Sequence, residues 1–285
     1  MFYLFALLYR LFYKLHHALC LRPGRALQKS RLVVVGSYRI GGAGKTPVAL
    51  ELAKRYAGTN KTVAILVHGV AFDEELLLER KIAECGICVQ VVRTGNRYKT
   101  AHELDGKFDV ILCDDGFEDS RLVPDEKILL DWEDPCTRIG DLWLNGGKCR
   151  SLRQDHKDIT KVLKCGTDVK FCVASVTPIL PRCDARLLSS VPRLLTFCGL
   201  GDPGRFAQDV DSYLRESSLQ PAAEHIACKD HDRNFAQKLR RLLESNPDSA
   251  VIISEKDSCR LENADFKGER VFVAIQKVAV QNFFI

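Results

Sequence analysis

Residues that break regular structure are scarce in this chain, with 10 prolines and 19 glycines among 285 residues. That scarcity excludes a collagen-like, low-complexity or disordered polymer. An uninterrupted apolar run long enough to cross a bilayer is also missing. The most hydrophobic stretch, residues 1–21, is broken by Arg10 and Lys14 after only nine uncharged residues, which disfavours a simple span. The same stretch lacks the charged leader and small-residue cleavage site of a secretory signal. The cysteines lack a framework: all 12 are scattered between Cys20 and Cys259, and Cys85-Gly86-Ile87-Cys88 is the single CxxC. Without a second pair it cannot close a zinc site, and the expectation for the cysteines is reduced thiols. No repeat of fixed period occurs.

Acidic residues are absent from residues 1–31, which hold six Lys and Arg, leaving 36 basic against 37 acidic residues over the remaining 254. The body of the protein is therefore neutral, whereas a nucleic-acid binder would carry its basic footprint there. The expectation is no nucleic-acid partner. At about 100° per residue, Tyr3, Arg10, Lys14 and His17 fall on one stripe, and Phe, Leu, Tyr and Ala fill the remaining arc. Such a helix can lie in an anionic membrane surface, with cations at headgroup level and aromatics in the acyl boundary. An apolar helix docked on the protein's own core is the alternative.

What is abundant is the material of a core, 46% hydrophobic residues with 28% charged, in a chain long enough for two domains. Short apolar runs at 32–35, 63–67, 88–92, 109–113 and 128–131 alternate with helical periodicity at 46–57, 73–84 and 97–104. This alternation predicts repeated βαβ units and a doubly wound parallel sheet. A strand at 169–176 and a Pro-bearing stretch from Pro178 to Pro192 precede a second α/β pattern. That pattern has strands at 194–200, 250–254 and 271–275 and helices at 203–216 and 233–245.

Gly41-Gly42-Ala43-Gly44-Lys45-Thr46 stands between the first buried strand and the first helix of this pattern, the context a phosphate-binding loop requires. Backbone N–H groups converge on phosphates there, helped by the positive end of the helix dipole. Lys45 is the candidate for the β- and γ-phosphates and Thr46 for Mg²⁺. The strict GxxxxGK[ST] spacing fails, because Arg39 occupies the first glycine position and Gly36 is three residues too early. Asp114 and Asp115, after the strand Val110 to Cys113, sit where open α/β sheets bind ligands, and are the candidate Mg²⁺ ligands. The expected organisation is a membrane-associating helix at 1–25, a P-loop nucleotide-binding domain at 26–180 and a smaller Rossmann-like α/β domain at 181–285.

Five ordered blocks resemble one family, the tetraacyldisaccharide 4'-kinases of lipid A biosynthesis. Val35 to Pro47 (VGSYRIGGAGKTP) is similar to its extended loop VGNxTxGGTGKTP, and Asp109 to Phe117 (DVILCDDGF) to its DVIxxDDGF block. Leu195 to Phe206 (LTFCGLGDPGRF) is similar to xAFxGIGxPxRF, Asp230-His231 to the DH pair, and Ser254-Glu255-Lys256-Asp257 to TEKD. The resemblance implies transfer of the ATP γ-phosphoryl group to the 4'-hydroxyl of a lipid A disaccharide precursor, at the cytoplasmic face of a Gram-negative inner membrane. It further implies that Asp73 and His231 serve the attacking hydroxyl as a base pair; by themselves Asp73 and Asp230 read as helix caps. Several positions depart from the family. Val67-His68-Gly69-Val70-Ala71 replaces SRGYG, Glu118-Asp119 replaces the QH of DDGFQH, and Cys149-Arg150-Ser151 replaces LRE. The other reading of these departures is a nucleotide-dependent membrane-binding protein that does not phosphorylate an acceptor.

Overall fold

In the computed structural model, residues 2–20, 24–69, 72–156, 158–180, 187–261, 270–281 and 283 are described. Val70 and Ala71 of the segment replacing SRGYG, and the side chain of His17, lie outside them. The chain divides into two compact units, residues 1–170 with 279–285, and residues 171–278. The division falls between Lys170 and Phe171, ahead of the 180/181 junction expected from the Pro-bearing stretch, and the C-terminal residues return to the first unit. The proline signal marks a loop, but it carries no information about which strand the chain crosses on.

The first unit runs α1 (Phe2–Cys20), β1 (Arg31–Gly36), α2 (Lys45–Gly58), β2 (Val63–His68), α3 (Phe72–Cys85), β3 (Val89–Thr94), α4 (Arg97–Leu104), β4 (Val110–Asp114), β5 (Glu126–Asp131) and β6 (Lys161–Lys164). Its six strands pair in the order β3-β2-β4-β1-β5-β6, every pair parallel. β1, β2 and β4 are buried on both faces, whereas β3, at the sheet edge, is only partly buried. Leu32 and Val34 of β1, Leu66 of β2 and Ile111 and Cys113 of β4 share one cluster with Ala101 of α4. The alternate residues Val33, Val35, Ile65 and Leu112 are equally buried on the other face. Register puts Val35 beside Asp114 and Ile128, so the carboxyl ends of β1 and β4 open at the same edge.

The second unit continues with β7 (Val169–Pro178), α5 (Leu187–Ser190), β8 (Arg193–Cys198), α6 (Pro203–Glu216), β9 (Glu224–Ala227), α7 (Phe235–Ser245), β10 (Ser249–Ser254), α8 (Glu255–Cys259) and β11 (Val271–Val280). The order is β7-β11-β10-β8-β9. This sheet too is covered on both faces. Leu194, Ile252 and Phe272 pack with Phe206, Val210 and Leu214 of α6, and Leu195, Phe197, Val251 and Val273 pack with Phe235 and Leu239 of α7. Asp202 caps α6 by accepting from the Arg205 amide at 3.1 Å, with Pro203 at the first helical position.

Two expectations about the first unit are corrected. Arg10 does not join a headgroup-facing stripe. Its guanidinium lies 3.4 Å from Asp155 and is only 15% exposed, so Ala6, Tyr9, Arg10 and Tyr13 form a protein-facing stripe at i, i+3, i+4, i+7 spacing. Leu4, Phe5, Leu11, Phe12, Leu15 and Leu19 are exposed, Leu11 and Phe12 by 62% and 65%. Among the described residues no helix is long and apolar enough to cross a membrane. The second correction concerns the thiols: Cys136 and Cys149 are joined in a disulfide and are both buried. Asp141 turns the intervening chain back on itself. Its carboxylate accepts from the amides of Thr137 and Arg138, each at 2.8 Å, and its carbonyl accepts from the Cys149 amide at 3.1 Å. Such a pairing leaves no spacing signal. Cys85 and Cys88 are free and exposed.

Candidate active site

The phosphate-type loop is built by close approach. A Cβ on Gly36, at the end of β1, would stand 2.0 Å from the Phe117 ring, so only glycine lets Phe117 pack under the loop. Gly42 and Gly44 take left-handed φ values of 66° and 76°, and Gly44 is the residue that opens α2. Arg39 explains the failed spacing. It is buried, forms an ion pair with Asp134, stacks 4.7 Å above the Trp132 ring, and sits in a backbone bridge with Cys149. The loop is thus pinned from outside by an arginine, and Trp132 Nε1 donates to the Ala43 carbonyl at 3.1 Å.

At the carboxyl end of β4 the two carboxylates diverge. Thr46 Oγ1 donates to Asp114 Oδ2 at 2.6 Å, while Asp114 Oδ1 is buried and accepts no hydrogen bond among the described residues. Burial, then the charge of Glu74, pushes the Asp114 carboxyl up to about 7. Asp115 adopts φ 58° and faces two cations, Lys45 Nζ at 3.4 Å from Oδ1 and Arg150 Nη1 donating to Oδ2 at 3.3 Å. Burial works to raise its pKa, but Lys45, Arg150 and Arg97 outweigh it and hold the group below the usual carboxylate range.

Of the residues singled out in the sequence, the structure therefore brings together Lys45, Thr46, Asp114 and Asp115, beside the backbone of Gly41, Gly42, Ala43 and Gly44. Thr46 and Asp114 touch one another, whereas Asp115 is engaged by cations. Asp73 is the second residue of α3, inside its first turn and not ahead of it as a cap. It is buried, and its Oδ1 accepts from the Glu74 amide at 3.1 Å. Arg97 and Glu74 were not foreseen. Arg97 donates to the Asp114 carbonyl at 3.0 Å from the start of α4, whose cap Asn96 accepts from the Lys99 amide at 3.2 Å. The helix that follows a parallel strand begins at the ligand edge of the sheet, and that rule was the available signal.

The second unit holds its own polar cluster. His231, at φ 55°, has Nε2 3.4 Å from Lys256 Nζ. Asp230 Oδ1 receives Lys256 Nζ at 3.2 Å and lies 3.6 Å from Arg260 Nη2. Ser254 caps α8 by accepting from the Asp257 amide at 3.1 Å. The buried Asp257 accepts from the Gly199 amide at 3.0 Å and from Ser254 Oγ at 2.7 Å. The Asp230-His231 pair and the Ser254 to Asp257 block are thereby one assembly, although they are distant in sequence.

A parallel α/β sheet with a glycine loop, a lysine and threonine opening the next helix, and paired aspartates on the neighbouring strand defines a P-loop nucleotide-binding protein. A family model described as tetraacyldisaccharide-1-P 4'-kinase matches residues 1–71 and 68–283, and the chain belongs to that family. A tetraacyldisaccharide 4'-kinase of Shewanella woodyi is 27% identical over 276 residues, spanning 88% of this chain and 77% of that one. One of Pelobacter propionicus is 29% identical over 306 residues, spanning 90% and 81%. The crystal structure of LpxK from Aquifex aeolicus in complex with ATP superposes with a TM-score of 0.62 at 19% identity, over 99% of this chain and 96% of that one. At that identity it shows a shared fold.

Proposed function

We propose that this protein transfers the γ-phosphoryl group of ATP to the 4'-hydroxyl of a tetraacyldisaccharide 1-phosphate lipid A precursor. The observation that carries the reading is the Lys45–Asp115 and Thr46–Asp114 pairing at a glycine loop, in a chain of this family. Lys45 exchanges its carboxylate partner for β- and γ-phosphate oxygens, and the amides of residues 41–46 receive the remaining phosphate charge. Arg97 and Arg150, already beside Asp114 and Asp115, add positive charge where the transferred group becomes negative.

Mg²⁺ fits the residues present, because Asp114 Oδ1 is a buried carboxylate oxygen that accepts no hydrogen bond among the described residues and the Thr46 hydroxyl adjoins its twin. Thr46 and Asp114 would hold the ion, which when bound neutralises phosphate charge. Two protein ligands leave most of an octahedral Mg²⁺ shell to water and nucleotide oxygens. Asp73 and His231 are assigned to taking the proton from the acceptor hydroxyl. The exposed arc of α1, Leu4, Phe5, Leu11, Phe12, Leu15 and Leu19 with Lys14, is assigned to a membrane surface, as a peripheral attachment at the cytoplasmic face of a Gram-negative inner membrane.

The test is incubation with γ-labelled ATP and tetraacyldisaccharide 1-phosphate in mixed micelles. Label on the lipid, lost in Lys45→Ala together with weakened ATP binding, supports the reading. Absence of label from the lipid with the intact chain, or full activity in Lys45→Ala, refutes it.

A further inference from the structure

The polar side of α1 is not spent on solvent. Tyr13 Oη donates to Glu118 Oε2 at 2.6 Å, and Tyr9 Oη donates to the Arg150 carbonyl at 3.3 Å. Both acceptors belong to the machinery around the phosphate loop. Glu118 ends the short turn Asp114-Asp115-Gly116-Phe117-Glu118, and Arg150 contacts Asp115 through its side chain. The turn transmits position because it has little slack. Phe117 fills the space that Gly36 leaves, a Cβ on Gly116 would stand 2.8 Å from Cys113 Sγ, and the Asp115 amide donates to the Val35 carbonyl at 3.0 Å. Glu118 Oε1 is buried, accepts no hydrogen bond among the described residues, and lies 3.8 Å from His156 Nε2. His156 in turn meets Ser151 Oγ at 2.8 Å. The opposite side of the same helix carries the exposed apolar arc.

We propose that Tyr13 and Glu118 are positioning residues through which α1 sets the turn bearing Asp114 and Asp115, so that the helix assigned to the membrane is also a working part of the phosphoryl-transfer site. The inference rests on the kinase reading above. Neither residue touches the nucleotide or the acceptor in this scheme; each acts through the turn. Burial, followed by the charge of Glu118, pushes the Tyr13 phenol up, which keeps it a donor throughout the working pH range. The tie also gives the departure from the family at this position a use. A carboxylate at 118 is a stronger acceptor for a phenol than the amide it replaces. An enzyme whose substrate is a lipid gains from such a link, because its site is fully set only when the helix that meets the lipid surface is seated.

Tyr13→Phe deletes one oxygen and keeps the ring. In the full chain it should lower kcat for the lipid acceptor by about tenfold, the scale of one lost hydrogen bond to a charged acceptor. KM for ATP should rise by less than kcat falls, and co-sedimentation with phosphatidylglycerol vesicles should stay as in the unaltered chain. Glu118→Ala should lose as much, and Glu118→Gln, which keeps an acceptor, should recover most of it. A readout independent of catalysis is amide hydrogen exchange, which should quicken several-fold at residues 115–119 in Tyr13→Phe. Unchanged exchange there, or unchanged kcat in Tyr13→Phe, overturns the tie. So does a kcat loss accompanied by equal losses of ATP affinity and melting temperature, which marks a packing defect. If the unaltered chain transfers no phosphate at all, the kinase reading fails, and the exchange experiment alone decides the tie.

Discussion

Gly36→Ala places one methyl group against the ring of Phe117, at 2.0, 2.3 and 2.7 Å from three of its carbons. The ring cannot step aside. It is 2% exposed, has the His156 ring at 5.5 Å and Lys127 Nζ at 4.9 Å from its centroid, and is joined through Gly116 to Asp115. Relief must come from the backbone of β1 or from the turn after β4, and overpacking of this kind costs about 2 kcal/mol. That should show as a lower urea midpoint with an unchanged slope. The same displacement moves Asp115 relative to Lys45, so ATP affinity by titration calorimetry should fall along with stability. Phe117→Leu alone opens a void and is destabilising by a similar amount. Combined with Gly36→Ala, it makes room for the methyl, and the pair should cost clearly less than the sum of the singles. A Gly36→Ala chain as stable as the parent, or strictly additive costs in the double variant, would refute the packing argument.

Asp73→Ala and His231→Ala should each lower kcat by roughly two to four orders of magnitude with ATP binding nearly intact, and the double variant should lose little more; parental turnover in either single variant removes that residue from the proton-transfer step. In α6, burial pushes the Asp209 carboxyl from 3.8 up to about 6, and its buried Oδ2 accepts no hydrogen bond among the described residues. A raised acid favours the protonated native state, so its stability contribution is complete below about pH 4 and is lost as pH rises through 6. Asp209→Asn should accordingly stabilise the chain at pH 7–8 and make no difference at pH 4, as read by thermal melts across that range. The Cys136–Cys149 disulfide closes a loop of sequence separation 13, for which chain entropy gives about 3 kcal/mol. Dithiothreitol should lower the melting temperature of the parent by several degrees and leave Cys136→Ser unaffected, and a parent indifferent to reductant would show that the bond does not form in solution.

Much of the architecture was legible because its signals are local. The helix expected at 203–216 is α6, with the bounds the structure shows, and the Asp202 cap and the fixed φ of Pro203 that start it act within one turn. The apolar runs at 32–35, 63–67 and 109–113 became β1, β2 and β4 of a parallel sheet, because burial on both faces demands such runs whatever the partner. β6 and β9 were not legible. Four residues each, with mixed burial, they are strands only because a neighbouring edge accepts them. Lys45 and Thr46 could be named from the glycine turn alone, and Asp114 from the strand it ends. Arg39 looked like a defect in the loop until it met Asp134, 95 positions away. Arg97, the Cys136–Cys149 bond and the Tyr13–Glu118 hydrogen bond, 105 positions apart, belong with it. Propensity, capping and alternation are properties of neighbours along the chain, and the sequence by itself determined what depends on them. Which distant side chains meet depends on strand order and register, and only the tertiary structure decided that.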